Sequence, residues 1–99
     1  MTIKLINRGT TGELLMEGRL DTNTAPDAEE IFNQTAERFD KLILNMAALD
    51  YVSSAGLRAL RRIHVRMQKK GGELELTHVN AMVTEVFEMT GFISLLKVE

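Results

Sequence analysis

The chain has 99 residues, 44% of them apolar and 26% charged, with a formal net charge of −2. That length suits a single domain spanning residues 1–99, and the slight acidic balance gives no general drive toward nucleic acid or an anionic membrane. Cysteine is absent, which excludes disulfides and thiolate chemistry. Two histidines, His64 and His78, are too few for a multi-histidine metal site. No apolar run approaches the ~20 residues of a membrane helix, and Met1 to Leu5 carries no secretory h-region. A soluble, cytoplasmic protein without metal or cofactor is therefore expected.

Residues 2–7 and 13–20 read as strands, joined by a turn over Arg8-Gly9-Thr10-Thr11-Gly12. In the second strand Leu14 and Met16 share one face, and Leu15 and Glu17 the other. Leu20-Asp21-Thr22-Asn23-Thr24 is a loop. Thr24 followed by Asp27 suggests a capping box, and Pro26 suits a first helical turn. Ala28, Ile31, Phe32, Thr35, Ala36 and Phe39 then recur at helical spacing.

Lys41 to Met46 is a short apolar run, read as a buried strand. A second helix runs from Ser54 or Ala55 to Lys70, with Leu57, Leu60, Ile63 or His64, and Met67 on one face. Gly71-Gly72 ends it. Glu73 to Val79 alternates as a strand should. Asn80 can cap a third helix carrying Met82, Val83, Val86, Phe87 and Met89. Gly91 closes that helix, and Ile93 to Val98 forms a last turn or strand. The order β-β-α-β-α-β-α predicts an α/β fold with a four- or five-stranded mixed sheet. Helices should cover mainly one face, with an inner parallel set and an antiparallel opening hairpin.

The chemistry-bearing segment is Leu49-Asp50-Tyr51-Val52-Ser53-Ser54-Ala55-Gly56-Leu57-Arg58. It joins a buried strand to a basic helix, with two serines at the joint. There the first backbone N–H groups lack intrahelical partners and the dipole is positive, which suits a phosphate. The plainer reading is that a serine merely caps the helix. Gly56 either permits a close approach or is only a small first-turn residue. Lys69 and Lys70 suit the negative end of the helix, but Arg58 sits near its positive end. Arg58, with Arg61 or Arg62, is therefore read as facing an acidic partner surface, against the alternative of a solvated face. The methionines are read as core filler, with Met82 or Met89 free for an adaptable interface if exposed.

Tyr51-Val52-Ser53-Ser54-Ala55-Gly56-Leu57 resembles the signature of the STAS domain family, the bacterial anti-sigma factor antagonists. Three further stretches agree with it in order: Gly18-Arg19-Leu20-Asp21, Gly71-Gly72-Glu73-Leu74, and Phe87-Glu88-Met89-Thr90-Gly91-Phe92. The resemblance implies partner switching. The unphosphorylated protein binds a kinase-like anti-sigma factor, serine phosphorylation releases it, and a serine phosphatase restores binding. The family's serine falls on Ser54, with Ser53 the second choice. Ser53 stands where many members have aspartate, and Asp21 is the candidate to replace that carboxylate, because the family places its loop beside the serine. Asp21 also reads simply as a turn residue. The implied partner surface comprises Asp21, Thr22, Ser53, Ala55, Gly56, Arg58, Arg61 and Arg62.

Other functional classes fit the residues less well. A serine hydrolase needs a base within reach, and His64 lies about 15 Å along the same helix at ~1.5 Å per residue. No catalytic residues are therefore assigned. A nucleic-acid binder would need base-stacking aromatics that the chain lacks. A STAS scaffold or regulatory subunit in another assembly, such as a stressosome-like, secretion or lipid-transport complex, is the alternative within the family.

Overall fold

The computed structural model describes residues 1–90 and 97–98. Strands β1 (Thr2–Arg8) and β2 (Thr11–Leu20) form an antiparallel hairpin. Its turn is only Gly9-Thr10, tighter than the five-residue turn expected. Gly9 supplies the positive φ of 79° that such a turn requires. Helix α1 (Ala25–Arg38) leads to β3 (Lys41–Val52), α2 (Ser54–Lys69) to β4 (Glu73–Thr77), and α3 (Ala81–Thr90) toward β5 (Lys97–Val98). The sheet order is β1-β2-β3-β4-β5, and every pair after the hairpin is parallel. Helical crossovers impose that direction on consecutive strands.

Strand register builds the core directly. Leu14, Leu44 and Leu76 lie side by side across β2, β3 and β4, and all three are fully buried. Phe32 and Ala36 of α1, Leu60, Ile63 and Met67 of α2, and Val83 and Phe87 of α3 close over this row in one cluster. Each large side chain so buried contributes about 1.5–3 kcal/mol of transfer free energy. The opposite sheet face is only half covered at Ile43, Leu15 and Asn45. There Glu13 accepts from Arg8 and from Asn45 Nδ2, the latter at 3.2 Å. Those bonds, that of Asn45 foremost, hold the Glu13 carboxyl below its ordinary range.

Helices α1 and α2 are zipped by charge. Arg62 forms a two-pronged pair with Glu29, Arg66 lies 3.2 Å from Glu37, and Lys70 Nζ donates to the carbonyls of Ala36 and Phe39. Lys70 thus satisfies the end of α1, not only of its own helix.

Several expectations change. Strand β3 extends six residues past Met46, because beyond Asn45, its last rung with β4, it goes on pairing with β2 across an irregular register. Leu49 and Val52 are the buried residues of that extension. Strand β4 stops at Thr77, where His78 takes φ 56°. Its burial does not alternate, since Glu75 and Thr77 are buried as well as Leu74 and Leu76. Helix α3 turns Met82 and Met89 outward, 59% and 81% exposed, while Asn80 caps it as expected by accepting from Val83 N at 2.9 Å. Gly91 and residues 93–96 lie outside the described residues.

Candidate functional site

The site is built where β2 and β3 end together. Leu20 pairs with Val52, and the next residue, Ser53, donates its N–H to the Leu20 carbonyl at 2.9 Å. This bond ties the start of α2 to the loop after β2. Ser53 has extended geometry (φ −89°, ψ 175°), and its Oγ accepts from Gly56 N at 3.2 Å. Its carbonyl accepts from Leu57 N. Ser53 is therefore the N-cap, and its hydroxyl serves the helix start.

Ser54 is the first helical residue and is exposed. It makes no side-chain hydrogen bond among the described residues. The two serines thus have different conditions: one is half-buried and engaged, the other open to solvent. Ala55 is half-buried. Gly56 is buried, and a Cβ built on it would lie 2.7 Å from the Leu20 carbonyl oxygen. The glycine lets α2 start hard against β2 and presents no surface of its own.

Asp21 organises the adjoining loop. Its Oδ1 accepts from the backbone N–H groups of Asn23 at 3.0 Å and Thr24 at 3.1 Å. These bonds, the one from Thr24 first, lower its pKa from the ordinary aspartate value, and the Arg19 charge adds to them. The expected capping box is not formed. Thr24 Oγ1 instead donates to the Arg19 carbonyl at 2.7 Å and accepts from Asp21 N at 2.9 Å. The threonine hydroxyl closes the turn and so is withdrawn from the helix start. Thr22 is exposed on the same loop.

Three of the arginines separate by environment. Arg58 and Arg61 are exposed and form no ion pair among the described residues. Arg62 is held by Glu29. His64, ten residues along α2 from Ser54, is half-buried, and that burial lowers the pKa of its imidazole. One pair escaped the sequence reading. The Arg19 guanidinium lies 4.3 Å from the centre of the Tyr51 ring, and Arg19 and Tyr51 are register partners. The signal was present as two separate motifs, but only the parallel pairing of β2 with β3 aligns them. Among the described residues no three acidic or histidine side chains converge as a metal site, and no helix is long and apolar enough to cross a membrane.

Comparison with known proteins agrees with this geometry. The model of the STAS domain family matches residues 3–99. BtrV of Bordetella bronchiseptica, named as a candidate anti-sigma factor antagonist, is 37% identical over 76 residues, which span 73% of this chain and 66% of BtrV. The chain therefore matches just under two thirds of that relative. A candidate anti-sigma factor antagonist from Thermotoga maritima superposes with a TM-score of 0.91 at 17% identity, covering 97% of this chain and 84% of its own. The phosphorylated form of the Bacillus cell fate determinant SpoIIAA gives 0.77 at 15% identity, over 99% of this chain and 91% of its own. At such identities the two structures speak for the fold alone. The family model spans nearly the whole chain and the local geometry fits its serine segment: the chain belongs to the STAS domain family.

Proposed function

We propose that this chain is a phosphorylation-controlled anti-sigma factor antagonist acting in the cytoplasm. Unphosphorylated, it binds a kinase-like anti-sigma protein. That partner phosphorylates Ser54 and is released, and a serine phosphatase resets the cycle. The observation that carries this reading is the division of labour at the α2 start, where Ser53 caps the helix and Ser54 is exposed on the first turn. The name of BtrV and the existence of a phosphorylated SpoIIAA give it support from related proteins. The chain works in this scheme as a binding module, with the catalytic machinery in its partners.

Phosphorylation adds about −1.5 to −2 charges at neutral pH. At an exposed helix start this charge gains roughly 0.3–1 kcal/mol from the dipole. Inside an interface that had accepted a small hydroxyl, it must be desolvated and meets close-packed groups. A penalty of several kcal/mol follows, and about 1.4 kcal/mol already means tenfold in affinity. The phosphate should therefore release the partner without melting the domain.

The test is incubation with a kinase-like anti-sigma factor of the source bacterium and ATP, with mass-spectrometric site mapping. A thermal melt and a binding titration follow on the same samples. Phosphate on Ser54, a melting temperature within a few degrees, and affinity reduced at least tenfold are expected. Modification retained in Ser54→Ala would reject Ser54 as acceptor. Unchanged affinity of the phosphoprotein would reject the switch.

A further inference from the structure

Arg19 is an exposed arginine held in one place without its donors being used. Its guanidinium lies over the Tyr51 ring at 4.3 Å, within the ~6 Å range of a cation–π contact. Asp21 Oδ2 stands 3.8 Å from Arg19 Nε, close enough for attraction and too long for a hydrogen bond. The other oxygen of Asp21 is committed to the backbone of Asn23 and Thr24. Among the described residues the Arg19 side chain donates no hydrogen bond, although it remains 60% exposed. A free surface arginine loses rotamer entropy when a partner fixes it; the ring and the carboxylate have already restricted this one. Its position follows from the sheet. Arg19 immediately precedes Leu20, whose carbonyl holds Ser53 at the start of α2.

We propose that Arg19, steadied by Tyr51, is a docking residue that grips a carboxylate on the partner protein, and so helps select that partner. This rests on the reading of Ser54 as the switch. An ordered guanidinium with free donors is matched by a planar carboxylate in a two-pronged pair. Arginine and tyrosine are the residue types that recur where interfaces concentrate their energy. The exposed Arg58 and Arg61 lie on the helix that starts at the same junction, so the surface around Ser54 favours an acidic partner. Asp21 Oδ1 serves the loop and Oδ2 stays 3.8 Å from Arg19 Nε, so the carboxylate attracts the guanidinium without taking its hydrogen bonds. Arg19 thereby ties specificity to the loop that carries Asp21.

The experiment measures binding of the unphosphorylated chain to the kinase-like anti-sigma factor of the same bacterium by titration calorimetry. Arg19→Ala is expected to weaken binding at least tenfold. Arg19→Lys should recover only part of that loss, since an ammonium cannot present the fork. Tyr51→Phe, which keeps the ring face, should bind as the wild type does, and Tyr51→Ser should be weaker. Arg19→Glu should bind least, and a Glu→Arg or Asp→Arg change at one acidic site of the partner should restore it. Thermal melts of each variant separate lost docking from lost folding, and Arg19→Lys provides a folded comparison if Arg19→Ala is unstable. If the wild type binds and all Arg19 variants match it, this inference fails while the switch reading stands. Lysine as effective as arginine, or no rescuing partner site, also overturns it. If the wild type binds no such partner, both fall.

Discussion

Replacing Gly56 with alanine sets two opposed effects against each other. Helix propensity favours alanine by up to about 1 kcal/mol, less in a first turn than in the interior. The structure predicts the opposite sign. The new Cβ would stand 2.7 Å from the Leu20 carbonyl oxygen, 2.9 Å from Leu20 Cγ and 3.1 Å from Val52 Cγ1. Ordinary contact begins near 3.4 Å, so the start of α2 must withdraw by about 0.7 Å. The same movement would stretch the 2.9 Å bond from Ser53 N to Leu20 O to about 3.6 Å, where it no longer counts as a hydrogen bond. Overpacking of this kind costs roughly 1–3 kcal/mol, and the lost bond about 1 kcal/mol. After the propensity gain, a net loss of about 2 kcal/mol remains. For a domain of this size, that lowers the melting temperature by about 8–16 °C. Differential scanning calorimetry of Gly56→Ala reads it directly. A melting temperature equal to or above that of the wild type would show that α2 does not sit hard against β2, and would refute the close-approach account of the site.

Three other outcomes follow. Ser53→Ala should cost about 1 kcal/mol through loss of the cap, while Ser54→Ala should stay within about 0.5 kcal/mol; urea denaturation of the pair tests this, and equal losses would contradict the assigned roles. The folded pKa of Asp21 is depressed by the Thr24 and Asn23 N–H groups, so its contribution is complete above the ordinary aspartate value of about 3.8 and disappears as pH falls through the lower folded value. Asp21→Asn should therefore be less stable than the wild type at pH 6, with the gap closing toward pH 2 in urea melts; a gap constant with pH would show that the carboxylate charge is not what matters. Arg58→Glu should slow association with an acidic anti-sigma partner, and wild-type association should slow with added salt; stopped-flow rates indifferent to both would leave Arg58 as a solvated residue only.

The parts of this protein legible in its sequence are those decided within one element or between neighbours. Apolar spacing located α1, α2 and α3, Gly71 with its φ of 76° ended α2, and Asn80 capped α3. The serine pair at a strand-to-helix joint marked the site, because a helix start is defined by local backbone groups. Residues 47–52 were not legible as strand, since Ala47, Ala48 and Asp50 face outward and only pairing with β2 keeps them extended. Thr24 read as a cap from its spacing to Asp27, yet the carbonyl of Arg19, brought near by the loop, took its hydroxyl. Arg58, Arg61 and Arg62 look alike along the chain, but packing of α1 against α2 gave Arg62 a carboxylate and left the other two without an ion pair among the described residues. The stack of Arg19 on Tyr51 joins residues 32 positions apart and exists only because β2 and β3 run parallel in that register. Local pattern thus determined where the helices start and stop and where the candidate serines lie. Tertiary contact decided which serine caps, which cations stay unpaired among the described residues, and which ring Arg19 stacks on, because these depend on distances between segments that no local spacing encodes.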